Sequence, residues 1–498
     1  METLQLWPNK ARIIIKEKGI SRRALRKMFP QILFPWDDRY DQQRMLFSSQ
    51  IQERPLFIIK PISEEQIIQA LNLLPVYKLS IRIVGGRHSS ALQSPDMFLD
   101  ISAFKKIEVK KVEGKKIEGK KVEGKKYLVV GGGATQGEVN DFLFTNHKGM
   151  YFPGCKPNHP NTLAFPGGTA ATVGVSGIST VGGIGTLRRT LGLTIDDIKS
   201  YRIVVPPKSN CGSAKVVVAS KHENSDLFWA LLGGGGANFG VITEIVYYPL
   251  KVNKVILYEI NWHWDQAARI LDLWQETAPS RPNAFNEDMG VFNGVDGSSA
   301  KFGVNLIGIY VIPDGQSSKE AIRTIREEIA PLDGDVHIDE ATMYQDVYEK
   351  FVARRVYHNF SVGKTILTKE TIPGKIFVKR IEAARKNKAY VHIGLQLMGG
   401  KISDRSSSAT AYYPRKAKIF VDIFAFWDSA VYQQASLHWS ARTFFDLYAI
   451  AGPYSYLGFP VPNLPNHLNA YYGKNAPRLL EIKKQIDPLN LLIFPGSL

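Results

Sequence analysis

The chain has 498 residues, 44% of them hydrophobic and 22% charged, with a formal net charge of +17. That length sustains more than one core, and no run of eighteen apolar residues suggests a membrane span. Two cysteines, Cys155 and Cys211, argue against a disulfide-stapled secreted scaffold, and the charged N-terminal stretch lacks the apolar core of a secretory signal, so a cytoplasmic location is expected.

Residues 1–50 read as a basic, helical N-terminal extension. From there the chain alternates. Pro55–Lys60 is strand-like, and Ser63-Glu64-Glu65-Gln66 has the form of a capping box opening an amphipathic helix. Ile81–Val84 is a short apolar strand running straight into Gly85-Gly86-Arg87-His88-Ser89. Met97–Ile101 and Tyr127–Val130 also read as strands. Between them, residues 105–126 form a repeat, KKIEV-KKVEG-KKIEG-KKVEG-KK, whose ten Lys and four Glu supply +6 of the net charge. This period fits neither a helix face nor strand alternation. Without interleaved aromatics the repeat reads as an expanded, solvated hairpin loop rather than a basic arm, and nucleic acid is not an expected partner.

A helix starts near Gln136, after Gly131-Gly132-Gly133. Residues 165–193 are rich in Gly and Thr, and a third glycine run, Gly233–Gly236, follows the helical segment Asp226–Leu232. Beyond Leu250 the texture changes. Helices over Trp264–Thr277 and Lys319–Ala330 alternate with longer strands at Lys301–Ile312, Tyr390–Met398 and Lys418–Phe426, the pattern of an antiparallel sheet covered by helices. The tail holds Tyr471-Tyr472-Gly473, a helix with Pro477 in its first turn, and the turn Asp487-Pro488-Leu489-Asn490.

Three glycine-dense loops in one α+β block require a reason. Glycine lets backbone N–H groups approach a ligand, and successive N–H groups make an anion nest. The segment 172–185 carries five glycines and several hydroxyls but no acidic residue, which suits a pyrophosphate. No P-loop is present, and no G-x-G-x-x-G opens a convincing βαβ unit, which disfavours a Rossmann nicotinamide site.

These loops resemble those of the FAD-linked oxidases of the berberine bridge enzyme type, within the vanillyl-alcohol oxidase superfamily. The resemblance begins at Tyr40-Asp41 and Ile51–Pro55 and continues through Arg82–Ser89, Val130–Ala134 and Phe165–Val175. It extends over Gly192-Leu193 with Asp196, Asp226–Gly236, Phe239–Thr243, Ala409–Arg415, and the tail Tyr471–Asn475 with Asp487–Asn490. It implies an α+β fold: a two-part FAD-binding domain of the PCMH type over residues 51–250, to which 446–498 return, plus a substrate-binding domain over 251–445 with an antiparallel sheet covered by helices.

The same resemblance implies roles. His88 matches the histidine that bonds covalently to FAD, preceded by Arg87 where a glycine is common; that cation either tunes the flavin or points to solvent. The second, cysteinyl link of many relatives falls at Ala170, so it is not expected. Cys155 is either a substitute thiol or a buried free cysteine. Further cofactor contacts fall at Gly85, Gly86, Ser89, Thr172, Val173, Gly174, Ser176, Gly177, Gly182, Gly183, Asp196, Gly240, Val241, Ile242, Tyr472 and Asn475. Ile178 replaces a frequent histidine, and a small residue at Val173 is associated with oxygen access. Tyr454 and Tyr456 fall where relatives supply a hydroxyl to the substrate, and Gln396, where some carry a glutamate, would position it. No residue is assigned to a metal. The implied activity is oxidation of a small alcohol, sugar or phenolic substrate by hydride transfer to flavin, with dioxygen as acceptor and hydrogen peroxide as product. The alternatives are a dehydrogenase using another acceptor, or a flavin-holding protein without turnover.

Overall fold

The computed structural model describes residues 2–48, 51–89, 93–112, 116–117, 120–121, 125–146, 162–248, 250–252, 254–293, 302–351, 360–384, 390–494 and 496–498. Its first layer is a parallel sheet of three short strands, ordered Phe57–Ile59, Met97–Asp100, Ile81–Val84. Apolar residues on both faces suit strands covered from two sides. The helix Glu64–Tyr77 follows the first strand. Ser63 caps it by accepting from Gln66 N at 3.3 Å, while Gln66 Oε1 reaches past Ser63 to accept from Ile62 N at 2.9 Å. Half of the expected capping box forms, and the other half is displaced by one residue.

The helices Glu2–Glu17 and Arg22–Met28 lie on this layer. Ala11, Ile15, Leu25, Phe29 and Phe34 share a core with Phe57, Leu71, Leu74 and Leu99. The segment read as an extension is therefore a cover of the first layer. Its basic composition hid the few apolar positions that find a buried face.

A second layer is a five-stranded antiparallel sheet, ordered Lys215–Ser220, Ile198–Val205, Val241–Tyr247, Lys125–Gly131, Ile107–Val112. The lysine repeat enters here. Ile107–Val112 pairs with Lys125–Gly131, and Lys116–Ile117 pairs with Lys120–Lys121. The repeat thus includes an edge strand, where lysines discourage pairing with another chain. Val112 and Lys125 stand opposite one another. Replacing residues 113–124 by an Asn-Gly turn should keep the register and leave flavin content unchanged and unfolding free energy within about 0.5 kcal/mol. Loss of most folded, flavin-loaded protein in an expression trial would show instead that the hairpin is structurally required.

The third layer is a seven-stranded antiparallel sheet. Its order is Asp335–Ile338, Val255–Trp262, Gly303–Val311, Phe285–Phe292, Tyr390–Leu397, Ile419–Trp427, Phe360–Thr368. Helices Ala267–Thr277, Gly374–Ala384 and Gln433–Ala451 pack on one face. Alternation leaves the other face to Tyr390, His392, Gln396, Phe420, Asp422, Phe424 and Phe426.

Two buried arginines fasten this sheet to the glycine-rich block. Arg188 donates to Leu397 O at 2.8 Å and Glu287 O at 2.6 Å and pairs with Asp288. Arg189 donates to Met398 O at 2.8 Å and Arg281 O at 2.5 Å. The tail returns to the block. Lys483 Nζ donates to Asn238 O at 2.8 Å and pairs with Asp487 at 2.7 Å. Among the described residues, no helix is long and apolar enough to cross a membrane. Cys155 and the surrounding segment 151–159 lie outside the described residues.

Candidate active site

The loop after strand Ile81–Val84 is pinned at both ends. Arg82 pairs with buried Glu53 at 2.7 Å and donates to Ser89 O at 2.9 Å. Burial raises the Glu53 carboxyl above its ordinary range, and the adjacent Arg82 only partly offsets this. Arg87 adopts φ +65°, a left-handed conformation that costs a non-glycine residue about 1–3 kcal/mol. Its guanidinium compensates by donating to Gln43 O at 2.6 Å and Met45 O at 3.0 Å and by pairing with buried Asp100 at 2.6 Å. The reading in which this cation simply points to solvent is thereby corrected, since its charge is paired with Asp100. The strut it forms holds Phe47 against the loop, and the Phe47 ring stacks on His88 with centroids 4.0 Å apart.

His88 Nε2 lies 2.7 Å from Thr172 Oγ1, so the loop 85–89 and the Gly/Thr-rich segment 165–193 meet at this histidine. Burial pushes the imidazole down to about 4, and the ring is neutral at pH 7. Behind it the loops touch backbone to backbone. A Cβ on Gly86 would stand 2.0 Å from Gly174 N, and one on Gly174 would stand 2.4 Å from Gly86 N. No side chain fits at either position. At Gly177, in the first turn of helix Val175–Val181, a Cβ would meet nothing within 4 Å. An open helix start, flanked by the Thr172 and Ser176 hydroxyls in a stretch 167–187 without an acidic residue, fits the diphosphate of FAD. Gly85, Gly86, Ser89, Thr172, Val173, Gly174, Ser176 and Gly177 are the residues that would hold it, with His88 at the edge.

Three other expected cofactor residues carry long-range partners within the protein. The Asp196 carboxylate accepts from Arg415 at 2.8 and 3.2 Å and from Leu193 N at 2.9 Å, and pairs with Arg405 at 3.2 Å. It anchors the 192–196 turn to the substrate domain. Asn475 Nδ2 donates to Ser407 O at 2.7 Å and Thr410 O at 3.0 Å, and Tyr472 donates to Gly234 O at 3.3 Å. These three side chains hold the tail and turn in place. Val241 and Ile242 bury their side chains in the core, so only the backbone of 240–242 remains to touch a ligand. Ile178 is buried with its Cδ1 against Gly168.

Gly182 and Gly183 mark the border with the substrate domain. The Tyr412 ring covers Gly182, and Gly183 N donates to the Tyr456 hydroxyl at 3.0 Å. From Tyr456 a line of rings follows the open sheet face. Phe420 lies 5.7 Å and Phe459 6.3 Å from Tyr456, Phe424 lies 5.4 Å from Phe459, and Phe426 lies 5.7 Å from Phe424 and 5.2 Å from Tyr390. At the far end Ser48 Oγ donates to Ser361 O at 3.0 Å, which sets the His88 loop beside strand Phe360–Thr368.

The expected catalytic trio is only partly assembled. Tyr456 reaches the cleft border, but burial pushes its hydroxyl up to about 12. Tyr454 is also raised, by burial and then by Tyr413, whose ring lies 5.5 Å away. Neither environment favours a phenolate. Gln396 is on the open face, yet its amide donates to Asp422 Oδ2 at 3.0 Å, so it positions a protein carboxylate. His392, whose Nδ1 lies 3.4 Å from Asp422 Oδ1, is the neighbour that sequence reasoning missed. Its signal was a single acid inside the apolar run Ile419–Trp427.

A glycine cradle for FAD facing an aromatic antiparallel sheet defines a flavin-dependent oxidoreductase. The comparisons agree. Residues 55–209 match the FAD binding domain model, and residues 455–498 match the model for berberine and berberine-like proteins. The chain is 24% identical to an uncharacterized FAD-linked oxidoreductase, YgaK, of Bacillus subtilis, covering 95% of this chain and 97% of that one. It is 27% identical to the chitooligosaccharide oxidase of Gibberella zeae, covering 70% and 73%. A solved glycopeptide hexose oxidase in complex with teicoplanin superposes with a TM-score of 0.76 at 19% identity, covering 94% and 98%. The chain is an FAD-linked oxidoreductase whose FAD-binding segment and C-terminal segment are similar to those of berberine bridge enzyme-like proteins.

Proposed function

We propose that this chain oxidises a carbinol carbon of a carbohydrate or similar hydroxylated small molecule, with FAD bound covalently through His88 and dioxygen as the final acceptor. The carrying observation is the aromatic line from Tyr456 to Tyr390 facing the cradle. Ring faces stack on the C–H faces of sugars, while Gln396, Asp422 and His392 supply polar contacts beside them. The relatives named for chitooligosaccharide and glycopeptide hexose oxidation support the same substrate class. The chain's own residues do three things. The glycine loops bind the diphosphate, the neutral His88 offers a lone pair for the covalent bond, and the aromatic face orients the carbinol. When bound, flavin supplies the two-electron oxidant.

The test is anaerobic mixing of the purified yellow protein with D-glucose, cellobiose, chitobiose and vanillyl alcohol while the flavin absorbance near 450 nm is followed (a wavelength of roughly this order for oxidised flavin). A sugar should bleach the flavin, and air should then restore the colour with hydrogen peroxide formed. If no member of the panel bleaches it, the reading fails. If bleaching occurs but air restores no colour, another acceptor takes the place of dioxygen.

A further inference from the structure

The open face of the seven-stranded sheet carries an acid–imidazole pair that the flavin cradle does not use. In strand Tyr390–Leu397, alternation sets Tyr390, His392, Gly394 and Gln396 on one face. Asp422 stands opposite Gly394 in the next strand. A Cβ on Gly394 would lie 2.6 Å from the Asp422 carboxylate, so the glycine makes the room the acid occupies. One carboxylate oxygen accepts from Gln396 Nε2 at 3.0 Å. The other lies 3.4 Å from His392 Nδ1. Asp422 is 10% exposed and His392 30%, so a nearly buried acid backs a partly exposed imidazole on the open sheet face. The His392 ring extends over Gly290 of the neighbouring strand, and Phe424 and Phe292 stand opposite it on either side.

We propose that His392 is the catalytic proton acceptor, with Asp422 as its positioning residue and Gln396 holding that carboxylate. The proposal rests on the carbohydrate-oxidase reading above and deepens it. A carboxylate beside Nδ1 favours the tautomer with the proton on that nitrogen, which leaves Nε2, lying over Gly290, as the nitrogen with the free lone pair. The substrate O–H bond breaks and its proton goes to Nε2. The carbinol C–H bond breaks with its electron pair, and the hydride goes to oxidised flavin. The carbon–oxygen double bond forms from the oxygen's freed pair, so the alcohol is oxidised by two electrons and the flavin reduced by two. The two tyrosines expected from the sequence are held in environments that oppose deprotonation, whereas an imidazole accepts a proton without passing through an anion.

The charged groups on this face of the two strands bonded to His392 are Asp422 and Asp288. Asp288 is taken by Arg188. Asp422 is therefore the unspent charge beside the imidazole on these strands.

The experiment uses the holoenzyme and the sugar that bleaches wild-type flavin. His392→Gln should retain flavin content and reduction by dithionite, while sugar-driven flavin reduction falls about a hundredfold or more. The acid limb of the rate–pH profile should vanish with it. Added imidazole should partly restore the rate of His392→Ala. Independently of turnover, 15N NMR of the neutral histidine rings should show the His392 proton moving from Nδ1 in wild type toward Nε2 in Asp422→Asn, because the carboxylate beside Nδ1 is gone. A His392→Gln enzyme that keeps both the wild-type rate and the acid limb overturns the proposal while the carbohydrate-oxidase reading stands, as does a His392 tautomer signal indifferent to Asp422→Asn. Wild-type flavin that no sugar bleaches ends both.

Discussion

In His88→Ala, all flavin should leave the protein on acid precipitation, whereas wild-type flavin should stay with the pellet. The expectation rests on where the structure puts this ring. Phe47 stacks on it, Thr172 lies within hydrogen-bond distance, and burial keeps it neutral at pH 7. A neutral imidazole has a lone pair for bond formation; a protonated one does not. Lowering the pH through about 4 should accordingly stop covalent incorporation of FAD into apoprotein, since that is where this ring gains its proton. Ala170, where relatives place a linking cysteine, offers no second attachment. The variant should still bind FAD reversibly, because the backbone cradle at Gly86, Gly174 and Gly177 is untouched. Wild-type flavin extracted freely by acid would rule out the covalent bond and leave the cradle assignment intact.

The second large effect is expected at Arg415. Its guanidinium is fully buried and grips Asp196 with two nitrogens while also donating to Thr410 Oγ1 at 2.8 Å. Arg415→Leu would leave a buried carboxylate facing only Arg405, which is 41% exposed, and the Leu193 amide. Removing one partner of a buried pair costs about 3–5 kcal/mol, because the remaining charge stays desolvated. Urea unfolding followed by flavin fluorescence should show a loss of that size. Arg415→Lys should lose less, since the charge survives and only the two-pronged geometry is lost. Equal unfolding free energies for wild type and Arg415→Leu would mean that Asp196 is not the anchor of this turn.

Much of the architecture was legible in the sequence because it is written in local periodicity. Alternation along Tyr390–Leu397 and Ile419–Trp427 marks strands with one apolar and one mixed face. Glycines after strands mark close backbone approach, and Ser63 marks a helix start. The glycine loops could be matched to a pyrophosphate without coordinates, since exposed N–H groups with no acid nearby suit one, and the resemblance of the motifs implied FAD. The edge strand inside the lysine repeat was not legible, because its period resembles neither regular element and only pairing with Lys125–Gly131 shapes it. Nor was the burial of the N-terminal helices, whose charged majority masks Ala11, Ile15 and Leu25.

The sequence by itself determined the strand–loop–helix units with their glycine loops, and its resemblance to known flavoproteins implied the class of cofactor and His88 as the residue at its edge. Only the tertiary structure decided which charged side chains were available to chemistry. Asp196 meets Arg415 across 219 residues, and Arg87 turns to Asp100. His392 and Asp422 come together through the register of two strands. The physical reason is that a glycine loop or a strand is specified by neighbours along the chain. The partner of a buried charge is specified by strand register and packing, and a one-residue slip would turn the same side chain to the opposite face.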